Sequence, residues 1–259
     1  MFATSNHQAQ GLAKLVGQRD TQVIAITGGK GGVGKTSIAV NLSMVMAMNG
    51  GEVALLDADL GLANVDVHLG LCPQRHLGHL LDGECDLAGL MLEAAHGLKV
   101  IPASSGRRRM AQLGSAEHAA LIHAVAEYPE PLDTLIVDTA AGLSDSVTMF
   151  CSAADEVVVV LTDEPASLTD AYALIKVLSH EYSVNRFRLL TNLTTNARQG
   201  RELFLRLRRV TDHFLDVVLD HMGNVPADPY LKRAVRRQSA VVDVYPGSRA
   251  SAAFKLLAG

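Results

Sequence analysis

Cysteine is scarce: Cys72, Cys85 and Cys151 are odd in number, and no two stand as C-x-x-C. That excludes a disulfide-stapled secreted scaffold and fits a reduced compartment. Long apolar runs are missing too. No stretch approaches the ~20 residues a membrane-spanning helix needs, and residues 1–20 lack the apolar core of a secretion signal. A cytoplasmic protein is expected. Nor is there an excess of one charge, since the net is −4 over 259 residues. Nothing pulls the whole molecule toward nucleic acid or an anionic membrane, so any such contact needs a local patch. Linker-like Pro or Ser/Gly tracts and internal repeats are absent from the interior. The expectation is one domain over 21–259 preceded by an N-terminal segment, 1–20.

What the chain does have is alternation. Short β-rich runs stand at 22–27, 52–57, 98–103, 134–139, 156–162 and 186–192, with a weaker one at 216–220. Several are continuously apolar, as in strands covered on both faces of a parallel sheet. Helical segments are expected at 35–49, 115–127, 167–181 and 197–214, and two more at 228–238 and 249–258. Strands alternating with such helices predict an α/β fold, a three-layer sandwich around a mostly parallel twisted sheet.

The first strand runs into "TGGKGGVGKTS", in which Gly29, Gly34, Lys35 and Thr36 fit G-x-x-x-x-G-K-S/T. Glycines let successive N–H groups turn toward phosphates. Lys35 places a charge near the outer phosphates, Thr36 offers a hydroxyl to Mg²⁺, and the following helix aims its positive end at the anion. The fold is therefore expected to be that of a P-loop NTPase, with Gly29 to Ser37 (Lys30, Gly31, Gly32 and Val33 included) cradling the nucleotide. Lys30 is unexplained by that pattern alone.

Ligands of an open parallel sheet sit beyond the carboxyl ends of its strands. Asp138 ends "TLIVD", where a carboxylate can order Mg²⁺ and its waters, and Gly142 allows the next loop to pivot. Asp57 and Asp59 end "VALLDAD", where a carboxylate can orient or deprotonate an attacking water. The bland alternative is that these aspartates begin loops or cap helices.

The whole motif "KGGVGKT" resembles the deviant Walker A sequence of the MinD/ParA-type ATPases. That resemblance implies Mg·ATP as cofactor and a homodimer on ATP binding, with Lys30 reaching the phosphates held by the other subunit. It makes "DADLGLAN" a first switch in which Asp59 positions water and Asp57 contacts a Mg²⁺-bound water. Thr36 and Asp138 complete the metal side. In "TDEPASLTDAYALIK", Glu164 and Asp170 are implied to face the partner subunit. Asn192 matches an adenine contact, and Pro226 and Asp228 of "GNVPADPYL" match the loop beside the base. Within this class the stretches "LGLANVDVHLGL", "EPASLTDAYALIK" and "HQAQGLAKL" resemble the FlhG/FleN family of flagellar number regulators. That implies two partners, the GTPase FlhF and a σ54-dependent FleQ-like activator.

For FlhF the matching residues are Gln8, Ala9, Leu12 and Leu15, with His7 where the family carries an acid; a disordered terminus is the alternative. A ParA-like partition ATPase, a MinD-like division-site ATPase, an iron carrier and a nucleotide-sensing module remain as rivals. The C-terminal "SRASAAFKLLAG" is expected to pack on the fold through Phe254, so a membrane contact at the cell's inner face or pole would be weak. The basic clusters 107–109, 206–209 and 232–237 read as solvated faces, and direct DNA binding is not expected. On the helix 201–215, Leu203, Leu207, Val210 and Phe214 are expected to point inward.

Overall fold

The computed structural model describes residues 21–103 and 114–259. The N-terminal segment 1–20 and the basic cluster 107–109 lie outside them.

In chain order the strands are β1 (Gln22–Thr27), β2 (Val53–Ala58), β3 (Leu92–Glu93), β4 (Lys99–Ile101), β5 (Thr134–Thr139), β6 (Glu156–Leu161), β7 (Arg186–Thr194) and β8 (Val218–Pro226). The helices are α1 (Lys35–Met48), α2 (Val65–Leu69), α3 (Leu77–Leu81), α4 (Ser115–Ala126), α5 (Asp145–Ala153), α6 (Pro165–Tyr182), α7 (Ala197–Phe214), α8 (Pro229–Arg236), α9 (Val241–Val244) and α10 (Arg249–Leu257). The described strands form one sheet in the order β3-β4-β2-β5-β1-β6-β7-β8, parallel except where β3 meets β4.

Alternate residues of each strand feed opposite layers, because a strand's side chains point to opposite faces in turn. Ile24 and Ile26 of β1 join a core with α1, α9 and α10, which includes Ile38, Leu42, Val241 and Phe254. Val23 and Ala25 face the other side, where α3 to α7 pack through Leu77, Leu121, Phe150, Leu174 and Leu203. The three-layer sandwich is as expected. Phe254 is fully buried, so the C-terminal helix does pack on the sheet through it.

Several expectations need correction. The strand placed at 216–220 begins later and runs on to Pro226, and α2, α3, α5, α9 and β3 had no counterpart in the sequence reading. These helices are short, and α5 carries β-branched residues and serines that mask its period. On α7, Val210 and Phe214 point to solvent. The buried stripe is Leu203, Phe204, Leu207 and Thr211, and the Thr211 hydroxyl satisfies itself on the carbonyls of Leu207 and Arg208. A polar residue took the core position that apolarity alone assigned to its neighbour.

Chain order reverses around β1, which lies between β5 and β6. In an open α/β sheet that switch point opens a crevice at the strands' carboxyl ends. The glycine-rich loop, the Asp57–Asp59 loop and the Asp138–Gly142 loop all emerge there.

Candidate active site

The loop after β1 ends at Gly34, whose φ of 94° is left-handed. A side chain there would also strike the Asn192 amide, at 2.3 Å from an ideal Cβ. Glycine is required on both counts. Helix α1 then starts with no side-chain cap and no acidic residue in its first turn. Its first N–H groups are left for an anion. Side chains at Gly31 and Gly32 would meet nothing within 4 Å, so that part of the loop borders open space of the kind phosphate oxygens occupy.

The two lysines stand in different surroundings. Lys35 is 9% exposed, and burial lowers its pKa while Asp138 and Asp59 raise it. It therefore lies inside the site, within the field of both carboxylates. The Lys30 side chain is 36% exposed and its ammonium is paired with Glu164 of the same chain.

Asp57 and Asp138 are register partners on the adjacent parallel strands β2 and β5, and both are buried. Burial pushes the Asp57 carboxyl up to about 6, against the pull of backbone N–H groups from Val65, Asn64 and Asp59. Those bonds, 2.8 Å from Asn64 and 3.0 Å from Val65, fold the loop around Asp57. Burial pushes Asp138 higher, to about 8, and the neighbouring Asp57 charge adds to it. Neither buried Asp138 oxygen has a hydrogen bond of good geometry, although the Thr36 hydroxyl lies near enough to favour the charged form. A buried orphan carboxylate beside a threonine hydroxyl at a phosphate loop fits Mg²⁺. That ion keeps several waters and needs only one or two carboxylates.

The remaining candidates are distributed around this centre. Asp59 accepts from the Leu62 N–H at 3.1 Å and is half-buried. Gly142 donates its N–H to the Gly28 carbonyl at 3.2 Å, which joins the Asp138 loop to the phosphate loop. The backbone of Asp170 lies against Gly29, so close that an ideal Cβ there would fall 2.3 Å from the Asp170 carbonyl. Asn192 is buried beneath the loop and donates to the Val33 carbonyl at 2.8 Å, while its Oδ1 has no partner. Pro226 ends β8 opposite Thr194. Asp228 has both oxygens committed within the chain, accepting from Tyr230 N at 2.9 Å and from Ala250 N at 3.0 Å. It therefore ties α8 to α10, which the sequence reading did not foresee.

Two residues escaped that reading. Asn64 donates its backbone N–H to Asp57 and has a buried, unpartnered Oδ1; its only signal was to close the loop "DADLGLAN". Leu193 has a φ of 57° and sits at a register irregularity between β7 and β8. The kink turns this leucine outward, 47% exposed, and leaves Asn192 and Thr194 both inside. Nothing in the apolar string "RLLTNLT" announces it.

A family profile described as ParA, NUBPL iron-transfer P-loop NTPase, matches residues 19–259. The chain belongs to the ParA family of P-loop NTPases. This ParA-family chain is 51% identical over 237 residues to the antiactivator FleN of Pseudomonas aeruginosa, covering 92% of this chain and 85% of that one. It is 35% identical over 243 residues to the flagellum site-determining protein YlxH of Helicobacter pylori, covering 93% and 81%. Among solved structures, the MinD cell division protein of Aquifex aeolicus superposes with a TM-score of 0.75 at 25% identity, over 92% of this chain and 95% of that one. MinD of Pyrococcus horikoshii, complexed with Mg-ADP, superposes with a TM-score of 0.74 at 24% identity, over 92% and 94%. The chain is an ATPase of the MinD/ParA type, akin to the flagellar regulators. Its cysteines do not cluster: Cys151 is buried, Cys72 exposed and Cys85 between.

Proposed function

We propose that this ATPase is a dimerising switch that regulates flagellar number. It binds Mg·ATP, pairs with a second copy, and restrains a FleQ-like transcriptional activator while acting with the GTPase FlhF. The likeness to FleN over nearly the whole chain supports the flagellar setting.

The observation that carries the mechanism is the contrast between the lysines. Lys35, buried beside Asp138 and Asp59, is suited to grip phosphate within its own subunit. Lys30 rises on the outer side of the loop, where only a surface glutamate holds it. A cation so placed is suited to reach a nucleotide bound by a facing subunit, in the manner of an arginine finger. Leu62 and Leu143, exposed on the loops after β2 and β5, and Leu193, exposed near the end of β7, supply apolar surface at the same end of the sheet. Thr36 and Asp138 would hold Mg²⁺, with Asp57 close by, and the ion would neutralise charge on the outer phosphates. Asp59 orients the attacking water, and the free Asn192 Oδ1 is an acceptor for the adenine amino group.

Light scattering tests the reading. With Mg·ADP the mass should stay near 27.5 kDa, and with a slowly hydrolysed ATP analogue it should double. A mass indifferent to nucleotide would remove the switch.

A further inference from the structure

Opposite charges are segregated along this chain. Residues 229–249 carry Lys232, Arg233, Arg236, Arg237 and Arg249 against a single acid, Asp243. The whole chain is at −4, so the remainder is at −8. Several arginines elsewhere are neutralised in place: Arg186 by Asp220 at 2.8 Å, Arg188 by Glu156 at 2.9 Å, Arg198 by Glu202 at 3.0 Å. Among the described residues, Lys232, Arg233, Arg236 and Arg237 form no ion pair, and Asp243 is held by His96 at 2.9 Å.

Two of these unpaired cations lie over a pair of tilted tyrosine rings. The Arg233 guanidinium lies 5.1 Å from the Tyr230 ring centre, the Tyr230 and Tyr245 rings are 4.8 Å apart, and Arg237 lies 5.8 Å from Tyr245. The Arg237 guanidinium also reaches the Tyr245 hydroxyl at 3.4 Å. The row Arg233–Tyr230–Tyr245–Arg237 thus joins α8 to the end of α9. Its base is fixed, because Asp228 accepts the Tyr230 N–H and the Ala250 N–H together. Guanidinium groups held over rings lose less entropy when they bind, and a guanidinium edge can grip a carboxylate through two N–H groups.

From this surface we infer that α8 and the turn after α9 form a docking site for an acidic segment of a partner protein. The segment's carboxylates pair with Arg233 and Arg237, and Lys232 and Arg236 flank them. The chemistry disfavours other anions. Helix α8 has eight residues, about 12 Å of length, so nucleic acid long enough to bind would run onto a body of opposite preference, net −8. An anionic membrane would need apolar side chains to insert, whereas the tyrosine rings here lie against arginines and each other's edges.

The test is a titration of the full chain with a labelled peptide of about a dozen residues carrying glutamates at i and i+4. The same peptide with glutamines, a single-stranded and a duplex oligonucleotide, and phosphatidylserine vesicles serve as comparisons. The acidic peptide should bind in a salt-sensitive way and the glutamine peptide should not. The double variant Arg233→Gln/Arg237→Gln should weaken binding by roughly tenfold, with melting temperature and nucleotide affinity unchanged. Tyr230→Leu/Tyr245→Leu keeps every charge and should still lose severalfold. Equal binding by the tyrosine variant would reduce the surface to an ordinary charged face and overturn the inference. Peptide binding that ignores the arginines, or tighter binding of oligonucleotide or vesicles, would overturn it as well.

Discussion

At the scale of single residues, chemistry divides between what a side chain is and where the backbone aims it. Lys30 and Lys35 have the same charge, and only their surroundings separate them. Lys30→Ala should leave nucleotide affinity within a few-fold of the parent and lower turnover by roughly a thousandfold, the scale of a lost cation supplied in trans. Steady-state phosphate release beside a nucleotide titration checks it, and parental turnover would return Lys30 to mere surface charge. Leu193 is a backbone matter. A non-glycine residue held at φ 57° costs about 1–3 kcal/mol, and here the kink directs Asn192 under the phosphate loop. Leu193→Gly should keep nucleotide affinity and hold or raise stability, whereas Leu193→Ile should weaken both, since a β-branched residue resists that conformation. Denaturant unfolding and a nucleotide titration decide it; isoleucine behaving like glycine would show that the kink is idle.

At the scale of elements, the site is held by contacts between segments far apart in sequence. The N–H of Val242 reaches the Asn41 side chain of α1 at 3.3 Å, and Asn41 in turn donates to the Ser37 carbonyl at 2.7 Å. Asp228 is another such tie, serving two helix starts with one buried carboxylate. Asp228→Ala would leave the N–H groups of Tyr230 and Ala250 without it, at a cost of about 2–4 kcal/mol. A thermal melt should move down by several degrees, while turnover at a temperature where the variant is folded should change little. Catalytic loss without loss of stability would instead assign Asp228 to the base-side role implied by resemblance.

For the whole molecule, the buried pair of carboxylates sets how stability follows pH. A carboxylate whose folded pKa lies above its ordinary 3.8 binds more protons folded than unfolded between the two values. Its contribution is therefore best at low pH and is lost as pH rises, through about 6 for Asp57 and about 8 for Asp138. Each group accounts for at most about 1.4 kcal/mol per pH unit in its window. The nucleotide-free protein should lose a few degrees of melting temperature between the pKa of Asp57 and that of Asp138. Asp138→Asn should flatten this slope and raise the melting temperature at its upper end, yet abolish the extra stabilisation that Mg²⁺ adds to nucleotide. An unchanged slope would place the effect elsewhere.

The sequence by itself determined the layers, most strands and the chemical class of the site. Short β-branched runs such as "EVVVVL" favour buried strands, and a glycine loop between strand and helix carries its phosphate chemistry in residue type and spacing. It also determined that Asp57 and Asp138 end strands, although not that they are neighbours. Only the tertiary structure decided that β2 and β5 pair in the register that sets these two carboxylates side by side. It alone turned Phe214 outward, spent Asp228 on two helix starts, paired Lys30 with Glu164 and set the tilted rings of Tyr230 and Tyr245 against each other. The reason is physical: periodicity and motif spacing are local properties of the chain, while register, capping and ion pairing belong to groups brought together across it.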